Sequence, residues 1–318
     1  MRWGILGASK FALNHMAPAI HGARGSTLAA IASRDPAKAA TFVELVPDVT
    51  IHDGYDALLD DPHIDAVYIP LPNHLHVEWS LKALHAGKHL LCEKPMAMHA
   101  AEFDALIRAR DKTGRLAAEA FMIVHHPQWT TIRDLLAAGT IGPLVHVDAV
   151  FTYDNGNDPQ NIRNLVGMGG GGLRDIGVYT FGSVRFATGQ EPLGLTARLR
   201  MEKDFDTFAE VNADFPGFTY HAIVSTRMRK RQQVVFHGRT GILTLTTPFN
   251  AGVYDQAELR IETDENEVTI RRWPGVNQYV LQVEAFTHAA STGSTYVPSL
   301  EFSKGTQAMI DAALAQGG

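Results

Sequence analysis

The chain has 318 residues, 45% of them hydrophobic, and carries 28 Lys and Arg against 34 Asp and Glu, a net charge of −6. That length and apolar content can bury the cores of two ordinary domains and exclude a disordered or fibrous protein. The acidic balance offers no general attraction to nucleic acid or anionic membrane. Cys92 is the single cysteine, which excludes an intrachain disulfide and a cysteine-based structural zinc site. The sequence shows no basic-then-apolar leader and no apolar run near the roughly 20 residues of a membrane span, so the expected location is the cytoplasm.

Through the first 120 or so residues short apolar runs alternate with helical stretches, the rhythm of βαβ units and a mostly parallel sheet. Strands are predicted at Trp3–Leu6, Leu28–Ala32, Ala66–Ile69, Lys88–Cys92 and Leu116–Ala120. Helices are predicted at Leu75–Ala86 and Ala100–Lys112, closed by Gly87 and Gly114. A helix at Gln128–Ala138 then introduces a different pattern, with alternating stretches at Leu144–Phe151, Leu193–Met201 and Thr207–Phe215. Further strands are predicted at Thr219–Thr226, Gln232–His237, Ile242–Thr246, Ala257–Thr263 and Glu267–Arg272. Together they predict one large, mainly antiparallel sheet with helices on one face, followed by helices near Val280–Ser291 and Glu301–Ala315.

The first strand runs into Gly4-Ile-Leu-Gly7-Ala8-Ser9-Lys10-Phe11-Ala12, a G-x-G-x-x-G/A turn in which Ser9 replaces the middle glycine. The missing glycine costs some clearance beside a pyrophosphate, while the Ser9 hydroxyl gains a possible bond to a phosphate or ribose oxygen. The second strand ends in Ser33-Arg34 where an enzyme using NAD usually carries a carboxylate for the ribose diol. Asp35 precedes Pro36 and reads as a helix N-cap, which leaves Ser33 and Arg34 to hold a 2′-phosphate. The turn and this strand end favour NADP(H) over NAD(H).

Two later motifs carry more. Pro70-Leu-Pro72-Asn73-His74-Leu-His76 follows the third predicted strand, and Glu93-Lys94-Pro95 ends the fourth, at the edge where an open α/β sheet keeps its ligand crevice. Gly170-Gly171-Gly172-Leu173-Arg174-Asp175-Ile176-Gly177-Val178-Tyr179 reads as a tight approach into a helix, with Asp175 and Tyr179 four apart on one face. This combination resembles the glucose–fructose oxidoreductase/inositol dehydrogenase (Gfo/Idh/MocA) family, essentially along the whole chain. The resemblance implies an α/β fold: a Rossmann dinucleotide-binding domain, here 1–120, followed by an α+β substrate and oligomerisation domain, 121–318, with a large open sheet.

It also implies an oxidoreductase in which Lys94, Asp175 and Tyr179 handle substrate and proton. Tyrosine at 179, where many relatives have histidine, is similar to the subgroup of sugar and dihydrodiol dehydrogenases and moves the expected substrate toward aldoses. A lysine ammonium beside a phenol favours phenolate, so Lys94 and Tyr179 are expected to act as one proton-handling unit. The expected cofactor contacts are Gly7, Ser9, Lys10, Phe11, Ser33, Arg34, Pro72, Asn73, His76, Glu93 and Lys94. Phe121, Met122 and Arg163 join Asp175 and Tyr179 as expected substrate contacts, His126 being open between pocket and cap. The expected partner is a small sugar or polyol, with a homodimer or homotetramer implied by the resemblance. A dihydrodiol-type dehydrogenase and a non-catalytic NADP(H)-sensing regulator are the alternatives. The 15 histidines show no metal-ligand spacing, so no metal is expected, and Arg227–Arg231 reads as a solvated hairpin.

Overall fold

The computed structural model describes residues 1–165, 167–263 and 267–317. Met1–Met122 and Gln278–Lys304 form one compact unit, and Ile123–Asn277 with the residues from Gly305 on form a second.

In the first unit, buried runs such as Trp3–Leu6 and Ala66–Ile69 are apolar on both faces, as strands covered from both sides must be. Six parallel strands result, β1 (Arg2–Leu6), β2 (Thr27–Ala32), β3 (Thr50–His52), β4 (Ala66–Ile69), β5 (His89–Cys92) and β6 (Ala117–Glu119), ordered β3-β2-β1-β4-β5-β6. The order reverses between β1 and β4, the switch point of a dinucleotide-binding Rossmann sheet. Helices α1 (Ala17–Gly22), α2 (Pro36–Leu45), α3 (Tyr55–Asp60), α4 (His76–His85) and α5 (Phe103–Thr113) connect the strands. Phe103 and Leu106 of α5 join Val67, Ile69, Leu90 and Cys92 in one core. Strand β3 was not anticipated, because three residues with partly exposed side chains give no hydrophobic period.

Residues 278–304, expected in the second domain, cluster with the first. The physical reason is aromatic packing: Phe286 lies 5.1 Å from the Trp3 ring, and Arg24 pairs with Glu284 at 3.0 Å.

The second unit opens with α6 (Pro127–Ala137) and β7 (Leu144–Asp154), continues through α7 (Val178–Thr188), and then runs into β8 (Gly194–Glu202) and β9 (Phe205–Phe215). Strands β10 (Phe218–Ser225), β11 (Arg227–Gly238), β12 (Gly241–Leu245), β13 (Glu258–Thr263) and β14 (Val268–Arg272) follow. They form an eight-stranded sheet ordered β14-β13-β12-β11-β7-β10-β9-β8. All neighbours are antiparallel except β7 and β10. On one face Trp129 of α6 meets Phe236 edge-on, and the Tyr220 hydroxyl of β10 donates to the Thr180 carbonyl of α7 at 2.9 Å. Arg227–Arg231 is not a hairpin: it begins β11, with a register shift against Asp154 and Thr152 of β7 that turns Arg229, Lys230 and Arg231 outward. The chain closes with α8 (Gln278–Thr292) and α9 (Leu300–Leu314).

Candidate active site

In the first unit four loops leave the carboxyl ends of four adjacent strands, β2, β1, β4 and β5. After β1, Gly7 has φ +113°, and a Cβ there would come within 2.8 Å of Leu71 Cδ2, so glycine answers both the backbone and the packing requirement. The Gly7 N–H donates to the Ala32 carbonyl at 2.8 Å, fixing the turn beside the end of β2. Ser9 Oγ accepts from Ala12 N at 3.0 Å and its carbonyl from Leu13 N at 3.0 Å, so Ser9 caps the helical stretch that opens at Lys10. A hydroxyl oxygen that accepts from the backbone still has its own proton to give to an anion. Lys10 is exposed, while Phe11 packs its ring 5.0 Å from His15 and 5.7 Å from Tyr279.

After β2, Asp35 is the N-cap of α2, accepting from Ala37 N at 3.1 Å and Lys38 N at 3.3 Å. Ser33 Oγ accepts from Asp35 N at 3.1 Å, and Arg34 is exposed at the strand end. With a glycine turn at φ +113° after β1, a serine hydroxyl at its end and a cation beyond β2, these residues fit a dinucleotide bearing a 2′-phosphate.

After β4 and β5 the loops are tied together. The Glu93 carboxylate accepts from the Tyr68 hydroxyl at 2.6 Å and from Lys94 N at 3.3 Å. Burial, with the Glu93 charge added, pushes the Tyr68 phenol far above its usual range, so Tyr68 remains a donor. The Lys94–Pro95 peptide is cis. Glu119, buried at the end of β6, accepts from Met96 N at 2.8 Å, and burial raises its carboxyl pKa. Pro72 and Asn73 are half-buried and His74 exposed.

His76 corrects the expectation of a cofactor contact. It is 0% exposed, with Nε2 2.7 Å from the Leu71 carbonyl and Nδ1 2.8 Å from the Pro95 carbonyl. Two carbonyls at such distances ask for two N–H groups, which only imidazolium has, whereas burial pushes the ring down to about 4. We take the ring as neutral at pH 7, because two carbonyl contacts do not repay removing a cation from water. It then donates to one carbonyl at a time. Phe121 and Met122, at 1% and 2% exposure, are a second correction: the Phe121 ring packs 6.2 Å from Phe302, and neither offers surface to a ligand. His126 is a cap, its Nδ1 accepting from Gln128 N at 3.2 Å at the start of α6.

In the second unit, the glycine run lets the backbone enter the turn Leu173–Gly177 that precedes α7. Gly171 has φ +113°, and a Cβ on it would collide with the Asp206 carboxylate, which accepts from Leu173 N at 2.8 Å. Burial pushes the Asp206 carboxyl up to about 6. Asp175, emerging from that turn, receives the Tyr153 hydroxyl on Oδ2 at 2.5 Å and Arg163 Nε on Oδ1 at 2.8 Å. Burial, with the Asp175 charge added, drives the Tyr153 phenol upward, and the same charge holds Arg163 protonated. Tyr179 packs against the stacked pair Phe151 and Phe249, at ring distances of 5.6 and 5.8 Å. Phe151 and Tyr153 are two apart on β7 and so share a face, which brings Asp175 and Tyr179 against the same stretch of strand. Arg163 is thus ion-paired with Asp175, with part of its side chain still exposed. Tyr153 was missed because the predicted strand stopped at Phe151; continuing its alternation by one period would have placed it on the same face.

Among the described residues no group of three or more His, Cys, Asp or Glu side chains could hold a metal ion, and no helix is long and apolar enough to cross a membrane.

Comparison with known proteins agrees with this layout. Residues 1–121 match the model of the oxidoreductase family GFO/IDH/MocA with an NAD-binding Rossmann fold, and residues 129–244 match the GFO/IDH/MocA C-terminal domain. An uncharacterized oxidoreductase, ORF334, of Rhizobium meliloti is 38% identical over 98% of this chain and 95% of its own length. D-xylose 1-dehydrogenase (NADP(+)) 2 of Haloferax volcanii is 31% identical over 98% of this chain and 96% of its own. Among solved structures, the 3-ketoreductase KijD10 of Actinomadura kijaniata, in complex with NADP and TDP-benzene, superposes with a TM-score of 0.89 at 30% identity, covering 100% of this chain and 98% of that one.

Proposed function

The chain belongs to the Gfo/Idh/MocA family of oxidoreductases, and from that premise we propose that it moves a hydride between NADP(H) and a carbinol or carbonyl carbon of an aldose or related polyhydroxy compound. The observation that carries this reading is the gathering of the Gly7 turn, Ser33-Arg34, Pro72-Asn73 and Glu93-Lys94 at the carboxyl ends of adjacent parallel strands. The bound nicotinamide supplies the hydride donor or acceptor. Ser9 and the main-chain N–H groups around it hold the pyrophosphate, and Arg34 with Ser33 holds the 2′-phosphate.

Tyr179 takes the carbinol proton, or returns it when a keto sugar is reduced, and the Lys94 ammonium favours the phenolate. Asp175 is the poorer base, because the Arg163 guanidinium and the Tyr153 hydroxyl both stabilise its carboxylate as it stands. Its part is to orient substrate beside Tyr179. Assembly into a homodimer or homotetramer belongs to the same reading, with light scattering as its check.

The test is NADP⁺ reduction and NADPH oxidation across a panel of aldoses, keto sugars and cyclic diols, the last probing the dihydrodiol alternative. Tyr179→Phe keeps the ring packing and is expected to lower turnover by roughly 10²–10⁴ with cofactor affinity nearly unchanged. Tight NADPH binding with no turnover on any substrate would hand the chain to the sensing-regulator alternative.

A further inference from the structure

His76 opens α4 and spends both ring nitrogens on main chain rather than on solvent or ligand. The two carbonyls it faces belong to different loops. Leu71 directly precedes Pro72-Asn73 after β4, and Pro95 directly follows Lys94 after β5. Leu71 is also the residue whose Cδ2 occupies the space that a Cβ on Gly7 would need. Through Leu71 and His76, the glycine turn, the Asn73 loop and the Lys94 loop are therefore joined in series at one edge of the sheet. An apolar ring of the same size would fill the volume and leave both buried carbonyls without this donor.

We propose that His76 is a positioning residue that keeps the loop bearing Lys94 in register with the loops that receive the cofactor. The proposal rests on the reading of Lys94 as part of the proton-handling unit. His76 never meets substrate; it acts through the Pro95 carbonyl, one residue from Lys94. A side chain misplaced by about 1 Å at a reacting centre costs on the order of a hundredfold in rate, so a linkage at this distance is felt in turnover before it is felt in binding.

The experiment pairs three variants with two readings. His76→Phe removes the ring N–H that serves either carbonyl, His76→Asn keeps an amide near the place of Nδ1 and so toward Pro95, and His76→Gln keeps one near the place of Nε2 and so toward Leu71. The first reading is kcat and substrate KM. The second, independent of turnover, is the ¹³C resonance of Lys94 in reductively methylated, NADPH-bound protein, assigned by its loss in Lys94→Arg. His76→Phe is expected to lower kcat about 10–100-fold with KM held within about threefold, and to move the Lys94 resonance. His76→Asn is expected to recover most of both, and His76→Gln less.

A folded His76→Phe with unchanged kcat and an unmoved Lys94 resonance overturns the proposal. Should His76→Phe fail to fold, the amide pair decides: Asn above Gln in kcat supports the linkage to Pro95, and equal values refute it. If the unaltered protein turns over nothing in the panel, that failure falls on the proposed reaction, while the Lys94 resonance still decides the role of His76.

Discussion

Arg34 shows how much one side chain at a strand end can decide. The neighbouring carboxylate, Asp35, spends Oδ1 on Ala37 N and Lys38 N as the N-cap of α2, with Oδ2 3.6 Å from Lys38 Nζ. The exposed guanidinium beside it is the charge that remains, and a charge-assisted bond to a phosphate is worth about 1.5–3 kcal/mol. Replacing Arg34 by Asp is therefore expected to weaken NADPH binding roughly ten- to a hundredfold while NADH binding changes much less, as a fluorescence titration with each cofactor would read. Equal weakening for the two cofactors would remove Arg34 from the 2′-phosphate. Asp175 makes the complementary point: the same residue type, held by Arg163 and Tyr153, has both oxygens engaged, which in the proposed reaction leaves proton transfer to Tyr179.

The glycine run before α7 is the element on which the second unit's site depends. At Gly171 the backbone lies at φ +113°, where a side chain is strained, and the Asp206 carboxylate occupies the place of a Cβ. Gly171→Ala is expected to cost about 2–4 kcal/mol of stability, through strain and loss of the Asp206 bond to Leu173 N, read as a lowered urea midpoint. An unchanged midpoint would mean that the turn relaxes freely. The sequence marked this run, and also the strand ends that carry Gly7, Arg34 and Lys94, because turn glycines and apolar runs are local signals. What it did not carry were partners distant in sequence. Asp206 is 33 residues from Leu173, Tyr153 is 22 from Asp175, and His76 is 19 from Pro95. His76 was misread as a cofactor contact because a histidine at a loop-to-helix junction looks the same whether it faces a ligand or two buried carbonyls. The return of α8 to the first unit was equally hidden, since amphipathic spacing identifies a helix without saying which core receives it.

At the scale of the whole molecule, buried ionisable groups set how stability follows pH. Burial pushes His76, His125 and His126 down to about 4, below the ordinary histidine value of 6.5, so the folded chain holds these rings neutral. Between pH 6.5 and 4 the unfolded chain binds a proton at each of the three and the folded chain does not, which makes stability fall as the solution is acidified. Asp206, raised to about 6, and Glu119, also raised by burial, act in the opposite sense, because the folded chain holds a proton there that the unfolded chain releases. Three histidines against two carboxyls leave a net uptake on unfolding of about one to two protons near pH 5. Stability is then expected to drop by roughly 1–3 kcal/mol per pH unit in that region and to level off above pH 6.5. Urea unfolding at half-unit steps from pH 4.5 to 7.5 measures it. His126→Gln, which keeps a side-chain acceptor for the cap of α6, should remove about one proton from the slope. Asp206→Asn should steepen the slope by a similar amount, since it deletes the opposing group while leaving an oxygen for Leu173 N. A flat profile, or a slope that neither substitution alters, would show that these rings and carboxyls titrate as freely in the folded chain as in the unfolded one.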